Sequence, residues 1–369
     1  MRPKEYRIKE LLRKKGLDGA IVSSPENFHY VTGFGGHQHT VSRQPGFTLA
    51  VMRADDKVPT HLTTMDFEAA TFRIKAAGLN FVVDPYDTWV GLKTWDEIAH
   101  GAVVPDKTAM ESSMDKLVQF MKACDLANKK VGVELDYFPV PYYKSLTEKF
   151  PEAEFVDISD LFVYARSVKQ PDEIEMFRNL CRIADHGFTE VSKIAKIGVS
   201  ERELAQCFRE DVIKSGFCAP SAWSMFSTGP SSARLTLPGD GVVKDGDVVK
   251  FDAGVNAEFD FYTTDTSRAW IIGNGDPVLL KLKDRLYEGQ RRMIAAAKPG
   301  LPINELYHTA YDYVKEMFPC YRRGHQGHSI SMGPATAETP YINASETRPL
   351  EAGMILAMEV PCYIDGVNG

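Results

Sequence analysis

The chain has 369 residues, 44% hydrophobic and 25% charged, which is an ordinary composition for a soluble globular protein and enough length for two domains. Its net charge of -7 argues against nucleic acid as a partner, because binding to phosphates needs a basic surface. No apolar run approaches the roughly 18 residues of a membrane span, and the six cysteines form no CxxC pair. We therefore expect a reduced, cytoplasmic protein without a membrane partner.

The first part of the chain alternates helical and strand-like patterns. A basic amphipathic helix that ends at Gly16 opens it, with Ile8, Leu11 and Leu12 facing inward and the charges of 7–15 on a solvated face. Strand-like runs follow at 19–22, 47–52, 81–83 and 131–134, and helical patterns at 67–77, 114–122 and 142–150. This alternation predicts an α/β domain over 1–160 with helices packed on a sheet.

A polar stretch with a proline at a helix start, 166–173, predicts the domain boundary and a second domain over 170–369. Two long helical patterns follow, at about 172–197 and 201–215, and Ser200 with Glu203 forms a capping box between them. Strands with acidic residues come next, then helices at about 277–297 and 303–316, then two more strands.

Acidic residues end two of these apolar runs. Glu359 closes the run 354–360, and a buried charge without a partner costs several kcal/mol, so this carboxylate either becomes neutral or meets a cation. Asp252 ends the run 248–252, and Asp265 follows thirteen residues later, across a predicted hairpin. Either aspartate alone is equally well a turn or strand-end residue. Together with His328 the carboxylates predict a site for a divalent ion such as Mn²⁺, Fe²⁺, Co²⁺ or Zn²⁺.

Four motifs in a fixed order carry a resemblance to a known family. They are Gly-Asp-x-Val-x-Phe-Asp-Ala-Gly (246–254), Thr-Asp-Thr-Ser-Arg (264–268), Gly-His-Ser-Ile (327–330) and Gly-Met-Ile-Leu-Ala-Met-Glu-Val-Pro (353–361). The chain resembles the pita-bread metallopeptidases, the family of methionine aminopeptidase, prolidase, aminopeptidase P and creatinase. Residues 16–22 and 24–34 resemble its creatinase-type N-terminal domain. The resemblance implies an α+β protein, a pita-bread catalytic domain preceded by a creatinase-type α/β N-terminal domain.

The resemblance also implies an activity and a set of site residues. Asp252, Asp265, His328 and Glu359 would bind one or two divalent metal ions (Mn, Co, Zn or Fe), with Asp265 bridging and Glu359 binding or acting near the nucleophilic water. The expected reaction is hydrolysis of a C–N bond in a small peptide, by an Xaa-Pro dipeptidase or an aminopeptidase of the aminopeptidase P kind. A homodimer is expected as well.

The chain departs from the family pattern where proton-handling histidines are expected. Neither 229–238 nor 333–338 contains a histidine. We name Arg234, Thr236, Glu338 and His325 as replacements, with Glu359, His325 and Arg234 the predicted catalytic residues; each replacement is also readable as an ordinary loop residue, and His325 as a further metal ligand. The family's last glutamate ligand would lie beyond residue 369, so we expect either an incomplete C-terminal end or a site that lacks one ligand.

Two further alternatives stay open at this point. His37 or His39 of the N-terminal domain would supply proton handling to the neighbouring subunit of a dimer, or would belong to a polar surface loop. The missing histidines also favour a small non-peptide substrate, as in the creatinase branch. A metal-dependent lyase and a non-catalytic binding protein on the same fold are the remaining alternatives.

Overall fold

The computed structural model describes residues 1–104, 111–216, 218–333 and 336–369. The chain divides into two compact units, Met1–Ala165 and Arg166–Gly369. We predicted one domain over 1–160 and a second over 170–369. That each of these parts folds independently stays a prediction. In the described ranges, no helix has the length and apolar character needed to cross a bilayer.

The first unit contains a six-stranded sheet with the strand order β4-β3-β2-β1-β5-β6. Its described strands are β1 (Gly19–Val22), β2 (Leu49–Arg53), β3 (Thr60–Thr63), β4 (Phe81–Val83), β5 (Lys130–Val133) and β6 (Glu154–Asp157). Its described helices are α1 (Pro3–Lys14), α2 (Pro25–Thr32), α3 (His37–Val41), α4 (Ala69–Ala76), α5 (Trp95–His100), α6 (Ser113–Ala123), α7 (Val140–Lys149) and α8 (Ser159–Ser167). The predicted α/β alternation is confirmed.

Strand β1 lies in the middle of this sheet, antiparallel to β2 and parallel to β5. Its four residues are all buried, as expected for a strand covered on both faces. Ile21 of β1 and Val131 of β5 belong to one apolar cluster with Leu117 and Phe120 of α6. Each such side chain contributes about 1.5 to 3 kcal/mol through burial, so this cluster fixes the strand order around β1.

Helix α1 differs from the predicted solvated basic face at one residue. Ile8 and Leu12 are buried as predicted, but Lys9 is buried too. Its ammonium donates hydrogen bonds to the carbonyl oxygens of Asp55 (3.3 Å) and Val58 (3.1 Å). Lys9 Nζ also lies 3.6 Å from the Glu5 carboxylate. The predicted solvated face is therefore wrong at Lys9, because a loop far along the chain supplies carbonyl partners.

The second unit combines four described helices with three small sheets. The helices are α9 (Pro171–Ile194), α10 (Glu201–Lys214), α11 (Pro277–Ala296) and α12 (Ile303–Met317). The strands are β7 (Cys218–Pro220), β8 (Met225–Thr228), β9 (Val248–Ala253), β10 (Val255–Ala257), β11 (Thr266–Ile271), β12 (Gly327–Ser329), β13 (Glu338–Tyr341) and β14 (Leu356–Met358). They form the sheets β11-β9-β8, β13-β12-β14 and β10-β7. The capping box before α10 is confirmed, since Ser200 and Glu203 each accept from the other's backbone N–H.

A stack of phenylalanine rings joins α9 and α10 to the first of these sheets. The Phe188 and Phe208 rings are 5.2 Å apart, Phe208 and Phe226 5.4 Å, and Phe226 and Phe251 5.1 Å, from centroid to centroid. Such ring pairs add about 0.5 to 1.5 kcal/mol beyond their area. Because Phe251 alternates with Lys250 and Asp252 along β9, this stack turns both polar side chains toward the other face of the strand.

Candidate metal centre

The two aspartates are brought together by a hairpin. Strands β9 and β11 pair antiparallel with Ser267 opposite Asp252 and Thr266 opposite Ala253. Asp265 comes directly before β11, so it stands at the turn end of the same ladder. The turn itself is closed by the Ala257 N–H, which donates to the Tyr262 carbonyl at 2.8 Å. The predicted hairpin is confirmed, and its register brings both carboxylates near the same end.

His328 and Glu359 come from the second sheet. His328 lies on the central strand β12, opposite Ala357 of β14 and Tyr341 of β13. Glu359 directly follows β14, and its N–H donates to the Gln326 carbonyl at 3.0 Å. Gly327 has a φ of +126° and lies against the Ala357 carbonyl, where a Cβ has no room. This close approach aligns the strands so that the His328 ring faces the Glu359 carboxylate.

Three side chains converge on one point. Ligand atoms of Asp265, His328 and Glu359 all lie within 4.8 Å of one another. His328 Nε2 is 3.2 Å from Asp265 Oδ2 and 3.1 Å from Glu359 Oε1, while Nδ1 lies 3.0 Å from the Ser329 carbonyl. A ring nitrogen held by a carbonyl leaves the other nitrogen aimed at the carboxylates, as metal-binding histidines are.

Asp252 lies outside that group of three, and its electrostatics tie it to the same carboxylates. Burial, followed by the charges of Asp265 and Glu359, raises its pKa to about 7. Burial alone would lower the pKa of His328, but its hydrogen bonds to Asp265 and Glu359 outweigh burial and raise it to about 10. The carboxylates therefore form a strongly negative environment that holds a cation, here the proton on the imidazole.

Arg323 is a site residue that the sequence reasoning missed. Its guanidinium donates to Glu359 Oε2 at 3.1 Å and to the His325 carbonyl at 3.1 Å. Burial raises the pKa of Glu359, but the His328 hydrogen bond and the charges of His328 and Arg323 outweigh it, and the net shift is downward. The signal was available in the sequence, since Arg323 lies two residues before His325 in a basic run.

Lys250 and Tyr363 were missed as well. The ring of Tyr363 lies 4.8 Å from Lys250 Nζ and 5.9 Å from the Arg323 guanidinium. Burial, together with the charges of the three carboxylates, raises the pKa of Tyr363 to about 12, although the charge of Arg323 opposes the rise. Strand alternation places Lys250 on the face of Asp252, so the period of two predicts its position beside the centre.

His325 lies beside the centre and outside its ligand group. Its ring centroid is 6.2 Å from that of His328, and its Nδ1 accepts a hydrogen bond from the Gly327 N–H at 3.2 Å. Burial lowers the pKa of His325, and the charge of Arg323 lowers it further. A neutral imidazole that accepts at Nδ1 carries its proton on Nε2, so His325 is a hydrogen-bond donor.

The other predicted replacements lie in two different settings. Arg234 and Thr236 are exposed in the segment that follows a short 3-10 turn, 229–233. Glu338 is half-buried on β13, where its carboxylate pairs with Arg166 at 2.5 Å. Glu338 is therefore committed to an ion pair. Two residues of the second loop that lacks a histidine, Pro334 and Ala335, lie outside the described residues.

The two histidines of the N-terminal domain, His37 and His39, differ in burial. His39 is fully buried on the short helix α3, where Nε2 lies 2.7 Å from the Ser23 carbonyl and the ring packs edge-on against Phe28. Burial lowers its pKa to about 4. A surface loop is therefore the wrong interpretation for His39, and a role for it in a neighbouring active site is wrong as well. His37 is exposed, and its role stays a prediction.

The fold and the cluster of carboxylates around an imidazole define a metallopeptidase of pita-bread type with a creatinase-type N-terminal domain. The model of metallopeptidase family M24 matches residues 175–369, and that of the creatinase/prolidase N-terminal domain matches residues 6–168. The chain belongs to metallopeptidase family M24. The expected fold class is confirmed.

Individual relatives are similar over most of their length. The uncharacterized peptidase YqhT of Bacillus subtilis is 24% identical over 368 residues, which cover 98% of this chain and 91% of the relative. The Xaa-Pro dipeptidase of Pyrococcus furiosus is 28% identical over 270 residues, 71% of this chain and 76% of the relative. The structure of an Xaa-Pro dipeptidase from Bacillus anthracis matches with a TM-score of 0.80 at 22% identity and covers 99% of this chain and 91% of its own.

Proposed function

We propose that this metallopeptidase cleaves the C–N bond of small peptides, with Xaa-Pro dipeptides as its substrates. The observation that carries the proposal is the convergence of Asp265, His328 and Glu359 within 4.8 Å, beside a third carboxylate, that of Asp252. Several carboxylates crowded together in a partly buried place repel one another unless a cation joins them. The similarity to Xaa-Pro dipeptidases supports the choice of substrate.

The donor set suits one or two divalent ions of Mn, Co, Zn or Fe. Asp252, Asp265, His328 and Glu359 would hold them, because carboxylates and an imidazole are the ligands these ions share. A bound ion of this kind lowers the pKa of water and polarises a carbonyl oxygen. Asp265, which directly precedes β11 at the turn end of the hairpin, would be the ligand shared by two ions.

Three residues have catalytic roles in this proposal. Glu359 accepts from both His328 and Arg323, so it is positioned to orient the attacking water and to hold its proton. His325 donates from Nε2 to the substrate carbonyl. Arg234 is exposed, and its carbonyl accepts from Lys250 on the strand of Asp252; in the proposal its guanidinium binds the carboxylate at the C-terminus of a dipeptide.

A second candidate is a small non-peptide substrate with an amide-like C–N bond. It is favoured by one observation, the absence of histidine from 229–238, the loop where the peptidases of this family are expected to carry a proton-handling histidine. In this alternative His325 and Arg323 are the donors that the smaller substrate needs.

The deciding experiment pairs metal content with hydrolysis. The protein is purified without chelator, its metals are measured by elemental analysis, and Ala-Pro and Ala-Ala are compared as substrates before and after stripping and reloading. Metal near one or two ions per chain, with release of proline that stops on stripping, supports the proposal. Bound metal without cleavage of either dipeptide moves the function to the non-peptide candidate. A chain that binds no metal and cleaves neither refutes both.

We also infer a cytoplasmic homodimer. The six cysteines are all free, as expected in a reducing compartment. Sedimentation velocity at several protein concentrations measures the assembly, and a monomer at every concentration refutes the dimer.

A further inference from the structure

Lys250 is a buried cation on the strand that carries Asp252. It lies in β9, two residues before that aspartate, and only 7% of its surface is exposed. Placing an ammonium there costs several kcal/mol unless it gains partners. We therefore expect the Lys250 ammonium to have partners outside strand β9.

Those contacts are backbone carbonyls of one short turn. Lys250 Nζ donates to the Ser232 carbonyl at 2.6 Å and to the Arg234 carbonyl at 3.1 Å. It also lies 4.8 Å from the Tyr363 ring centroid, within the range of a cation–π contact. Charge-assisted bonds of this kind are about twice as strong as neutral ones. The ammonium thus ties the turn to the strand of the candidate metal centre.

A carboxylate closes the same segment at its two ends. Glu201, the first residue of α10, accepts from the Thr228 N–H at 3.0 Å and from the Gly239 N–H at 2.7 Å. It also accepts from the Ser231 hydroxyl. Residues 229–238, which we call the 229–238 loop, therefore start and end at one buried carboxylate, while Lys250 holds the inner part.

The remainder of this loop is exposed. Leu235 and Leu237 have 65% and 63% of their surfaces accessible. Tyr363, which Lys250 contacts, also faces Arg323, the partner of Glu359. A fixed inner turn with an open outer part is the arrangement expected of a substrate-binding wall, because binding residues lie on loops that a rigid scaffold positions.

We propose that Lys250 is a positioning residue that fixes the 229–238 loop beside the metal centre as one wall of the substrate site. The proposal rests on the peptidase function proposed above. The substrate contacts the outer part of the loop, where Arg234 meets a carboxylate and the leucines meet apolar side chains. Lys250 itself touches neither substrate nor metal and acts through the two carbonyls.

The test compares Lys250→Met with Lys250→Arg. Methionine keeps the length of the side chain without its donors, whereas arginine restores donors. We expect Lys250→Met to raise KM for Ala-Pro about tenfold with kcat changed less than about threefold, because the loss of two charge-assisted bonds loosens the loop. Lys250→Arg should recover most of the loss, and metal content should equal that of the wild type in both. Lys244→Met, at an exposed lysine just before β9, is the matched control.

A second readout is independent of any activity. Trypsin cleaves after Arg234, so limited proteolysis followed by mass spectrometry reports how tightly the loop is held. We expect cleavage at Arg234 to be about tenfold faster in Lys250→Met than in the control. If Lys250→Met does not fold, Lys250→Gln, which keeps one donor group, takes its place with an intermediate effect.

The outcomes separate the two proposals. A wild-type protein that cleaves no dipeptide refutes the proposed function, while proteolysis still decides whether Lys250 holds the loop. Unchanged proteolysis and unchanged KM in Lys250→Met refute the positioning role. Faster proteolysis with unchanged KM refutes the substrate wall.

Discussion

Two glutamates in this chain follow apolar strands and meet opposite surroundings. Glu134 ends the run 131–134 in the first unit, and Glu359 ends the run 354–359 in the second. Glu134 is fully buried and accepts hydrogen bonds from the backbone N–H groups of Ser23 and Ser24, the Ser24 hydroxyl and the Asn27 amide. These donors belong to the N-terminus of α2, so the carboxylate caps a helix.

The carboxylates of the second unit have different neighbouring groups. Within the described ranges, no backbone N–H donates to the side chains of Asp252, Asp265 or Glu359. Burial raises the pKa of both Glu134 and Asp252. The neighbours of Glu134 oppose that rise as neutral donors, whereas the neighbours of Asp252 reinforce it as like charges. A buried carboxylate that its own chain satisfies is structural, and one that its neighbours destabilise is suited to a cation.

The largest expected effect is the loss of metal in Asp265→Asn. An amide at the bridging position removes one charge from the ligand set, so we expect metal affinity to fall on the order of 100-fold or more and activity to disappear with it. Elemental analysis after dialysis measures this. Asp284→Asn, at a carboxylate that is 76% exposed, is the control and should keep its metal. Full metal content in Asp265→Asn would contradict the bridging role.

The opposite effect is expected at Glu134. Glutamine offers one acceptor oxygen to a group of donors that surrounds two, so Glu134→Gln should lower the free energy of unfolding by about 2 to 3 kcal/mol without loss of metal. Urea denaturation with a metal assay measures both quantities. Glu154→Gln, at an exposed glutamate on the neighbouring strand β6, should change stability by less than about 0.5 kcal/mol. A Glu134→Gln variant that is as stable as the wild type would contradict the structural role of Glu134.

A smaller, pH-dependent effect is expected at His39. Burial lowers its folded pKa to about 4, below the unfolded value of about 6.5, so the unfolded chain takes up the proton first as pH falls. His39 should therefore cost the wild type about 1 to 2 kcal/mol between pH 7 and pH 5. His39→Gln keeps an amide donor for the Ser23 carbonyl, and its stability should depend less on pH.

The control for this profile is the neighbouring exposed histidine. His37→Gln should follow the wild-type pH dependence, because the His37 side chain is exposed in the fold and stays in contact with water. Parallel profiles for His39→Gln and the wild type would show that His39 is not held neutral in the fold.

The last expected effect is a gain in stability at the candidate metal centre. The folded pKa of Asp252 is raised to about 7, above its unfolded value of about 4, so its charge destabilises the metal-free fold progressively as pH rises between these values. At pH 8 in chelator, Asp252→Asn should be more stable than the wild type, by at most about 4 kcal/mol. With metal present the order should reverse. A metal-free variant that is less stable than the wild type would contradict the crowding of charge at this site.

The local elements followed from the sequence in most places. The capping box at Ser200, the hairpin after Asp252 and the long helices of the second unit all depend on residues a few positions apart. Hydrophobic periodicity and turn chemistry act over that range, which is why they were predictable. Four motifs in a fixed order predicted the family. They also contain the ligand-type residues that the structure brings together.

The pattern failed where the partner lies far along the chain. Glu134 and its donors at Ser23 are 111 positions apart, and Lys9 and its carbonyl partner at Val58 are 49 positions apart. Strand alternation places Lys250 beside Asp252, but it does not reveal that the ammonium binds the turn at Ser232. No local sequence rule distinguishes a glutamate that caps a helix from one that is suited to bind a cation.

The sequence by itself thus determined the elements, the fold class, the family and the residue types of a metal site. Only the tertiary structure decided which buried charges are satisfied. His39 became a core residue through its contact with the Ser23 carbonyl, and Arg323 joined the metal centre through Glu359. The physical reason is that the cost of burying a charge depends on the donors and charges within a few ångströms, and folding assembles those from distant parts of the chain.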